Sequence, residues 1–210
     1  LPEAVSPERR RLLTRYGAQV HITPSSEGMA GSMRAAAELV RSNPRYYLLG
    51  QFRNPASVKA HRERTAQEIL DATKGRVDAF VAGVGTGGTV SGVGEALKAR
   101  VPGVRIIAVE PARSPLLSKG RANEHHIPGL GPDFVPPILS RQVIDEVMAV
   151  TDEDAYLMTN RLGREEGLLV GPSSGAAVHA ALKVAEGLGE GKTVVVVLPD
   201  TGERYLQMPY

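Results

Sequence analysis

Residues 77–100 read VDAFVAGVGTGGTVSGVGEALKAR, an apolar run, a glycine-rich turn and a helical stretch in direct succession. The apolar run predicts a strand from Arg76 to Ala82, and the part after the glycines predicts a helix from about Thr89 to Arg100. A second apolar run, VRIIAVE at 104–110, follows at once. Strand, turn, helix and strand form a βαβ unit, which brings the two strands side by side and parallel. Both runs are continuously apolar rather than alternating, as expected of strands covered on both faces. Glycines at 83, 85 and 88, in the spacing GxGxxG, mean that the backbone must come close to something, most often a phosphate at the helix start.

Working outward, the same alternation continues. SPERRRLLTRYG predicts a helix with Ser6 as N-cap, Pro7 at the first helical position and Gly17 as stop. AQVHIT (18–23) reads as a strand, Glu27 to Arg41 as a helix and YYLL (46–49) as a short strand. A longer helix is expected over Ala56 to Ala72. Beyond Glu110, an irregular stretch rich in Gly, Pro and His runs from Pro111 to about Ser140; a loop of that length is functional or disordered. VIDEVMAV (143–150) reads as a strand, Asp152 to Glu166 as a helix, LLVG as a short strand, SSGAAVHAALKVAEGLG as a helix and TVVVVLP (193–199) as a fully buried strand. The tail DTGERYLQMPY reads mostly as loop. The whole predicts an α/β protein with helices on both faces of a parallel sheet. Its glycine turns GVGTGG, GPSSG and PDTG then all lie beyond the carboxyl ends of strands, where such sheets bind ligands.

Composition narrows the function. The chain has 210 residues, 42% of them hydrophobic and 23% charged, enough for a sizeable core. The formal net charge is only +2, with basic residues scattered, and aromatics are few: three Phe, six Tyr and no Trp. Neither a basic footprint nor a base-stacking surface for nucleic acid is expected. With no Cys, disulfides, zinc-thiolate sites and thiol nucleophiles drop out, which fits a cytoplasmic protein. No apolar stretch approaches the roughly 20 residues of a membrane span. His125 and His126 are adjacent in a loop without a carboxylate cluster, and are read as loop histidines rather than metal ligands.

GVGTGG satisfies the letter of the dinucleotide fingerprint GxGxxG, and Glu110 closes the next strand as that fingerprint's acidic residue would. It is not a P-loop, since no Lys-Ser or Lys-Thr pair follows. A tight turn without ligand and an NAD site both remain readings of these letters alone. Two features point elsewhere. Thr86 and Thr89 place hydroxyls beside backbone N–H groups at a positive helix end, a cup suited to a compact phosphate monoester. GPSSGAAVHAAL (171–182) opens a second helix with two serines, which can cap it or present a hydroxyl to a ligand. Phosphate at one helix start and a neutral hydroxyl facing a heteroaromatic nitrogen at another describe pyridoxal 5′-phosphate.

Six segments occur in order: QFRNPASVKAHRERTAQEIL, VDAFVAGVGTGGTVSGVG, VEPARSPLL, HHIPGLGPDFVPPIL, REEGLLVGPSSGAAVHAAL and VVVVLPDTGERYL. Together they resemble the cysteine synthases (O-acetylserine sulfhydrylases) of the fold type II pyridoxal-phosphate enzymes, from Leu1 to Tyr210. The resemblance implies three-layer parallel-sheet domains of the tryptophan synthase β-like architecture. Residues 1–50 would be the remainder of a smaller mobile domain, and 51–210 the larger cofactor-binding domain. It implies that Gly85, Thr86, Gly87, Gly88 and Thr89 hold the phosphate and that Ser173 bonds the pyridine nitrogen. Gln51 would receive the substrate carboxylate, and Gly129 would sit in the loop closing over the amino acid. The implied reaction is a lyase-like β-elimination from O-acetyl-L-serine to an aminoacrylate intermediate, followed by addition of sulfide to give L-cysteine. A homodimer, and docking of the C-terminal peptide of serine acetyltransferase, are implied as well. Cystathionine β-synthase or serine/threonine dehydratase chemistry is the alternative on the same fold, and a non-catalytic binding module the alternative of another class.

One element of the family pattern is not present. The Schiff-base lysine, in a motif like SxKDR, and a substrate loop like TSGNTG have no counterpart here. Lys59, in ASVKAH, sits at a variable helical position, and Lys74, Lys98, Lys119, Lys183 and Lys192 read as solvated. The opening LPEAVSPERR enters a helix without an upstream strand. The expectation is therefore a chain corresponding to the C-terminal two-thirds of such an enzyme.

Overall fold

A computed structural model of the chain describes residues 1–3, 5 and 7–206. It divides into two compact units, Leu1–Gly50 and Gln51–Tyr210.

The first unit holds α1 (Pro7–Arg15) and α2 (Gly28–Ser42). Gly17, at φ 83°, turns the chain out of α1 as anticipated. The proposed N-cap Ser6 lies outside the described residues. The two expected strands of this unit do not form. Residues 18–23 make one parallel bridge, Pro2↔Thr23, and YYLL at 46–49 is irregular with Tyr47 81% exposed. Strand propensity is realised only against a partner ladder. Thr23 finds two bonds, to Leu1 and Glu3, whereas residues 46–49 join no ladder among the described strands.

The second unit is built on a four-stranded parallel sheet of β1 (Ala79–Gly83), β2 (Arg105–Pro111), β3 (Glu146–Val150) and β4 (Val194–Val196), ordered β3-β2-β1-β4. The period-two alternation of a strand decides its two cores. Phe80 and Ala82 of β1, with Ile106 and Ala108 of β2, face one side. There they pack with Val90, Val93 and Leu97 of α5 (Gly88–Arg100). Ala79 and Val81, with Ile107 and Val109, face the other side, against Ala176, Ala180 and Val184 of α8 (Pro172–Leu188). Before β1 come α3 (Ala56–Ala60) and α4 (Ala66–Thr73), joined by one π-helical turn at His61–Thr65; a short α6 (Leu116–Lys119) and α7 (Asp152–Glu165) complete the set. Helix, sheet, helix gives the three layers expected.

Two strands are shorter than their apolar runs suggest. VVVVL contributes only Val194–Val196 to the ladder, and these are partly exposed because β4 lies at the edge of the sheet. LLVG supplies one antiparallel bridge, Val170↔Thr201. The chain leaves β1 through α5 toward β2 on one side and returns through α8 to β4 on the other. The order therefore reverses between β1 and β4, and a crevice is expected beyond their carboxyl ends. Among the described residues no helix is long and apolar enough to cross a membrane.

Candidate functional site

The crevice is there. A cavity of about 230 Å³ opens beyond β1 and β4, lined by Ala82, Gly83, Gly85, Thr86, Thr89, Pro128, Gly129, Leu130, Ser173, Val197, Pro199 and Asp200. Both helix starts singled out from sequence meet in it, although Thr86 and Ser173 are 87 positions apart in the numbering of one chain.

The wall at the end of β1 is made of backbone. Gly87 caps α5 with φ 85° and ψ −4°, a left-handed conformation that side chains disfavour. The N–H groups of the first helical turn have no acceptor within the helix, so they point their partial positive charge outward. Gly88 donates its N–H to Thr86 Oγ1 at 3.3 Å. A Cβ on Gly85 would overlap the carbonyl oxygen of Gly129, so the glycine loop and the 128–130 turn touch main chain to main chain. The 128–130 turn is itself held. Ile127 donates its N–H to His125 Nδ1 at 3.2 Å, which makes Nδ1 an acceptor and leaves Nε2–H to donate to Gly131 O at 3.1 Å. His126 donates its N–H to the buried carboxylate of Asp152 at 3.1 Å. The paired histidines thus shape the loop.

At the other wall Gly171 caps α8, Pro172 starts it, and both serines are buried. Ser173 lines the cavity, whereas Ser174 does not. Asp200 reaches the same cavity. Tyr205 donates its hydroxyl to Asp200 Oδ2 at 2.5 Å, and Asp200 Oδ1 is enclosed without a partner among the described residues. Sequence reading placed PDTG at a strand end but did not single out Asp200; a carboxylate after a proline in a turn carries no pattern of its own.

A further residue escaped the sequence altogether. His61, in the π-helical turn, has Nε2 3.1 Å from Thr89 Oγ1 and Nδ1 3.0 Å from Thr65 Oγ1. Burial lowers its pKa below the ordinary histidine value, favouring the neutral ring. The only available signal was the spacing Gly88-x-x-x-Gly92, which marks a helix another backbone can approach closely.

The remaining singled-out residues lie elsewhere. Gln51 is exposed in a turn and does not line the cavity; its neighbour Phe52 is buried edge-to-face on Phe134, centroids 4.9 Å apart. Glu110 is buried and accepts hydrogen bonds from the N–H groups of Leu117 and Ser118, capping α6. That employment leaves it unable to serve as the exposed ribose-binding carboxylate of a dinucleotide site. All six lysines are exposed, and none lines the cavity. Lys59 reaches toward Glu63, Lys98 is paired with Asp145 and Lys192 with Asp78.

Neutral donors facing a helix end, a hydroxyl opposite and a cavity of this size fit a flat ring carrying one phosphate. Comparison with known proteins agrees. Residues 1–200 match the family model described as pyridoxal-phosphate dependent enzyme. The chain belongs to that family. A cysteine synthase of Staphylococcus aureus is 47% identical over all 210 residues, which are 67% of the relative's length. An O-acetylserine dependent cystathionine beta-synthase from Helicobacter pylori superposes with a TM-score of 0.95 at 41% identity, covering 100% of this chain and 68% of that one. The cysteine synthase of Entamoeba histolytica superposes at 0.92 and 40% identity, covering 99% of this chain and 62% of that one. An O-ureido-L-serine synthase gives 0.94 at 42%, covering 98% and 65%. The chain thus spans about two-thirds of the length of these pyridoxal-phosphate enzymes.

Proposed function

We propose that this chain supplies the cofactor seat of a pyridoxal-phosphate-dependent cysteine synthase, the whole protein replacing the acetoxy group of O-acetyl-L-serine with sulfide. The observation that carries the reading is the convergence of Gly85, Thr86, Thr89 and Ser173 on one cavity; Gly87 and Gly88 shape the turn without lining it. The cofactor, when bound, supplies the electron sink that lets a bond at the substrate's α-carbon break.

The chain's own residues do the rest. The N–H groups of the first turn of α5, with the Thr86 and Thr89 hydroxyls, hold the phosphate through neutral donors and the helix dipole. Ser173 would offer the pyridine nitrogen a hydroxyl rather than a carboxylate. A hydroxyl partner would leave that nitrogen unprotonated, where a carboxylate would hold it protonated. Gly129 belongs to the loop given the part of closing over the amino acid, and Gln51 is given that of receiving its carboxylate, although it does not line the cavity here. The 51–210 unit is the cofactor-binding domain, and 1–50 part of a smaller mobile one. A cytoplasmic homodimer whose cleft accepts the serine acetyltransferase tail belongs to the same reading.

The amine that links covalently to the cofactor is not assigned to any of the six lysines, all of which face solvent. The test therefore has two arms. The chain itself, titrated with pyridoxal phosphate, is expected to bind it and to lose most affinity on Thr89→Val. The whole protein, given O-acetylserine and sulfide, is expected to form cysteine faster than it forms cystathionine from serine and homocysteine. A chain indifferent to pyridoxal phosphate would refute the seat. The second reading is cystathionine formation from O-acetylserine, supported by the likeness to the Helicobacter pylori enzyme, and replacing sulfide with homocysteine beside O-acetylserine decides it.

A further inference from the structure

Thr89 has one hydroxyl hydrogen, and two neighbours compete for it. If it is to hold an anion, that hydrogen must point into the cup. His61 Nε2 is 3.1 Å from the same oxygen, so the state of the imidazole decides where the hydrogen goes. A bare Nε2 would accept it and turn a lone pair toward the phosphate. A protonated Nε2 would donate to Thr89, leaving the threonine hydrogen for the ligand.

We propose that His61 is a positioning residue for the phosphate cup, held as the Nε2–H tautomer so that Thr89 is obliged to donate to the anion; this rests on the reading of Gly85–Thr89 as a phosphate seat. Thr65 is assigned the donor's part in this arrangement. Its Oγ1 lies 3.0 Å from His61 Nδ1, and a hydroxyl donating there keeps Nδ1 bare and puts the ring hydrogen on Nε2. The hydrogen bonds then run in one direction: Thr65 to His61, His61 to Thr89, Thr89 to phosphate. Burial, which lowers the His61 pKa, keeps the ring neutral and the direction single.

The fold is built to bring this about. The π-helical turn carrying His61 and Thr65 lies directly on the start of α5. A Cβ on Gly88 would overlap the Ser57 hydroxyl, and one on Gly92 would overlap Val58 O and stand 2.8 Å from His61 Cβ. Only a glycine pair one helical turn apart admits so close an approach. Single π turns inside α-helices recur at functional sites because they re-aim side chains, here the imidazole toward Thr89.

The test is carried out on the full chain with ¹⁵N-labelled histidine. Long-range ¹H–¹⁵N correlation spectra with pyridoxal phosphate bound, and separately with inorganic phosphate, are expected to show His61 as the Nε2–H tautomer. Thr65→Val, which removes the donor to Nδ1, is expected to mix the tautomers and weaken pyridoxal phosphate binding about tenfold, the size of one hydrogen bond to a charged group. His61→Leu is expected to weaken it by at least as much, and His61→Gln, whose amide can still donate, to recover part of the loss. An Nδ1–H tautomer or an imidazolium in the bound state overturns the inference while leaving the phosphate seat standing. Binding unchanged by both Thr65→Val and His61→Leu does the same. A wild-type chain that binds neither ligand overturns the seat and the inference together.

Discussion

Gly92→Ala sets two physical effects against each other with opposite signs. Gly92 lies inside α5, where its φ is an ordinary helical one, so exchange for alanine favours the helix by about 1 kcal/mol. Against that stands the crossing of the π-helical turn. The new methyl would overlap Val58 O, with His61 Cβ at 2.8 Å and the Arg62 backbone nitrogen at 2.9 Å. Two of the three obstacles are main chain and the third is the first atom of a side chain, so no rotamer change relieves them. Overpacking of this kind costs about 1–3 kcal/mol, and backbone obstacles place it at the upper end. The net expectation is a loss of about 2 kcal/mol, or about 4–8 °C in melting temperature for a chain of this size. The displacement matters as much as the energy. Restoring an ordinary 3.4 Å contact moves His61 by about 0.6 Å, enough to stretch its 3.1 Å approach to Thr89 beyond hydrogen-bonding range. Thermal melts, with and without saturating pyridoxal phosphate, read both effects. The variant is expected to melt lower and to gain less from the cofactor than the wild type. A variant that melts higher, with unchanged cofactor affinity, would refute the close crossing and the role given to it.

Other expectations follow from the same packing. Ser173→Ala, which removes the hydroxyl but keeps the volume, is expected to weaken pyridoxal phosphate binding about fivefold in a fluorescence titration, the value of one neutral hydrogen bond. An unchanged affinity would free Ser173 from the ring. Phe80→Ala empties a fully buried position between β1 and α5 and is expected to cost about 3–5 kcal/mol by denaturant unfolding. Asp145 is pushed up by burial but pulled lower still by hydrogen bonds from Lys98 and the Ile106 N–H and by the charges of Lys98 and Arg105. Its folded pKa is thus below the unfolded one, so its contribution is present above pH ~4 and disappears as pH falls through the folded value. Asp145→Asn is therefore expected to cost on the order of 1 kcal/mol at neutral pH, discounted for partial exposure, and progressively less in acid. A gap between the two melts that stays constant with pH would show that the carboxylate's charge is not what Lys98 and Ile106 bind.

How much of this was legible before folding depends on whether a residue's neighbours lie near it in sequence. β1, β2, α5 and α8 were readable because an apolar run bounded by glycines has only one comfortable disposition, buried on both faces beneath helices. That the GVGTGG and GPSSG turns open helices beside one cavity was readable for the same reason, as both sit where the chain must turn into a helix. The strands assigned to AQVHIT and YYLL failed because a ladder is a property of two segments, and alternation in one cannot guarantee the other. The burial of VVVVL was overstated because nothing in four valines says that their strand will stand at an edge. Glu110 had the spacing of a dinucleotide ligand yet is consumed by the backbone of α6, a competitor only seven residues away but invisible until the chain bends.

His61 shows where the boundary lies. Its pairing with Thr89 spans 28 positions, and its approach depends on a π turn that hydrophobic periodicity does not register. The readable trace of it was in the partner: Gly88 and Gly92, four apart on one helix, each missing a side chain where His61's helix passes. The stretch GVGTGGTVSGVG therefore satisfies two demands with one set of glycines. Gly85 and Gly87 let the chain turn tightly beside Gly129 and aim the first N–H groups of α5 outward. Gly88 and Gly92 let a second backbone reach the back of the same turn. If the turn holds an anion as proposed, its neutral donors bring no formal charge to keep the hydroxyls in line. On that proposal the orientation would come from His61, 3.1 Å from Thr89, and the missing side chains at Gly88 and Gly92 are what admit its helix so close.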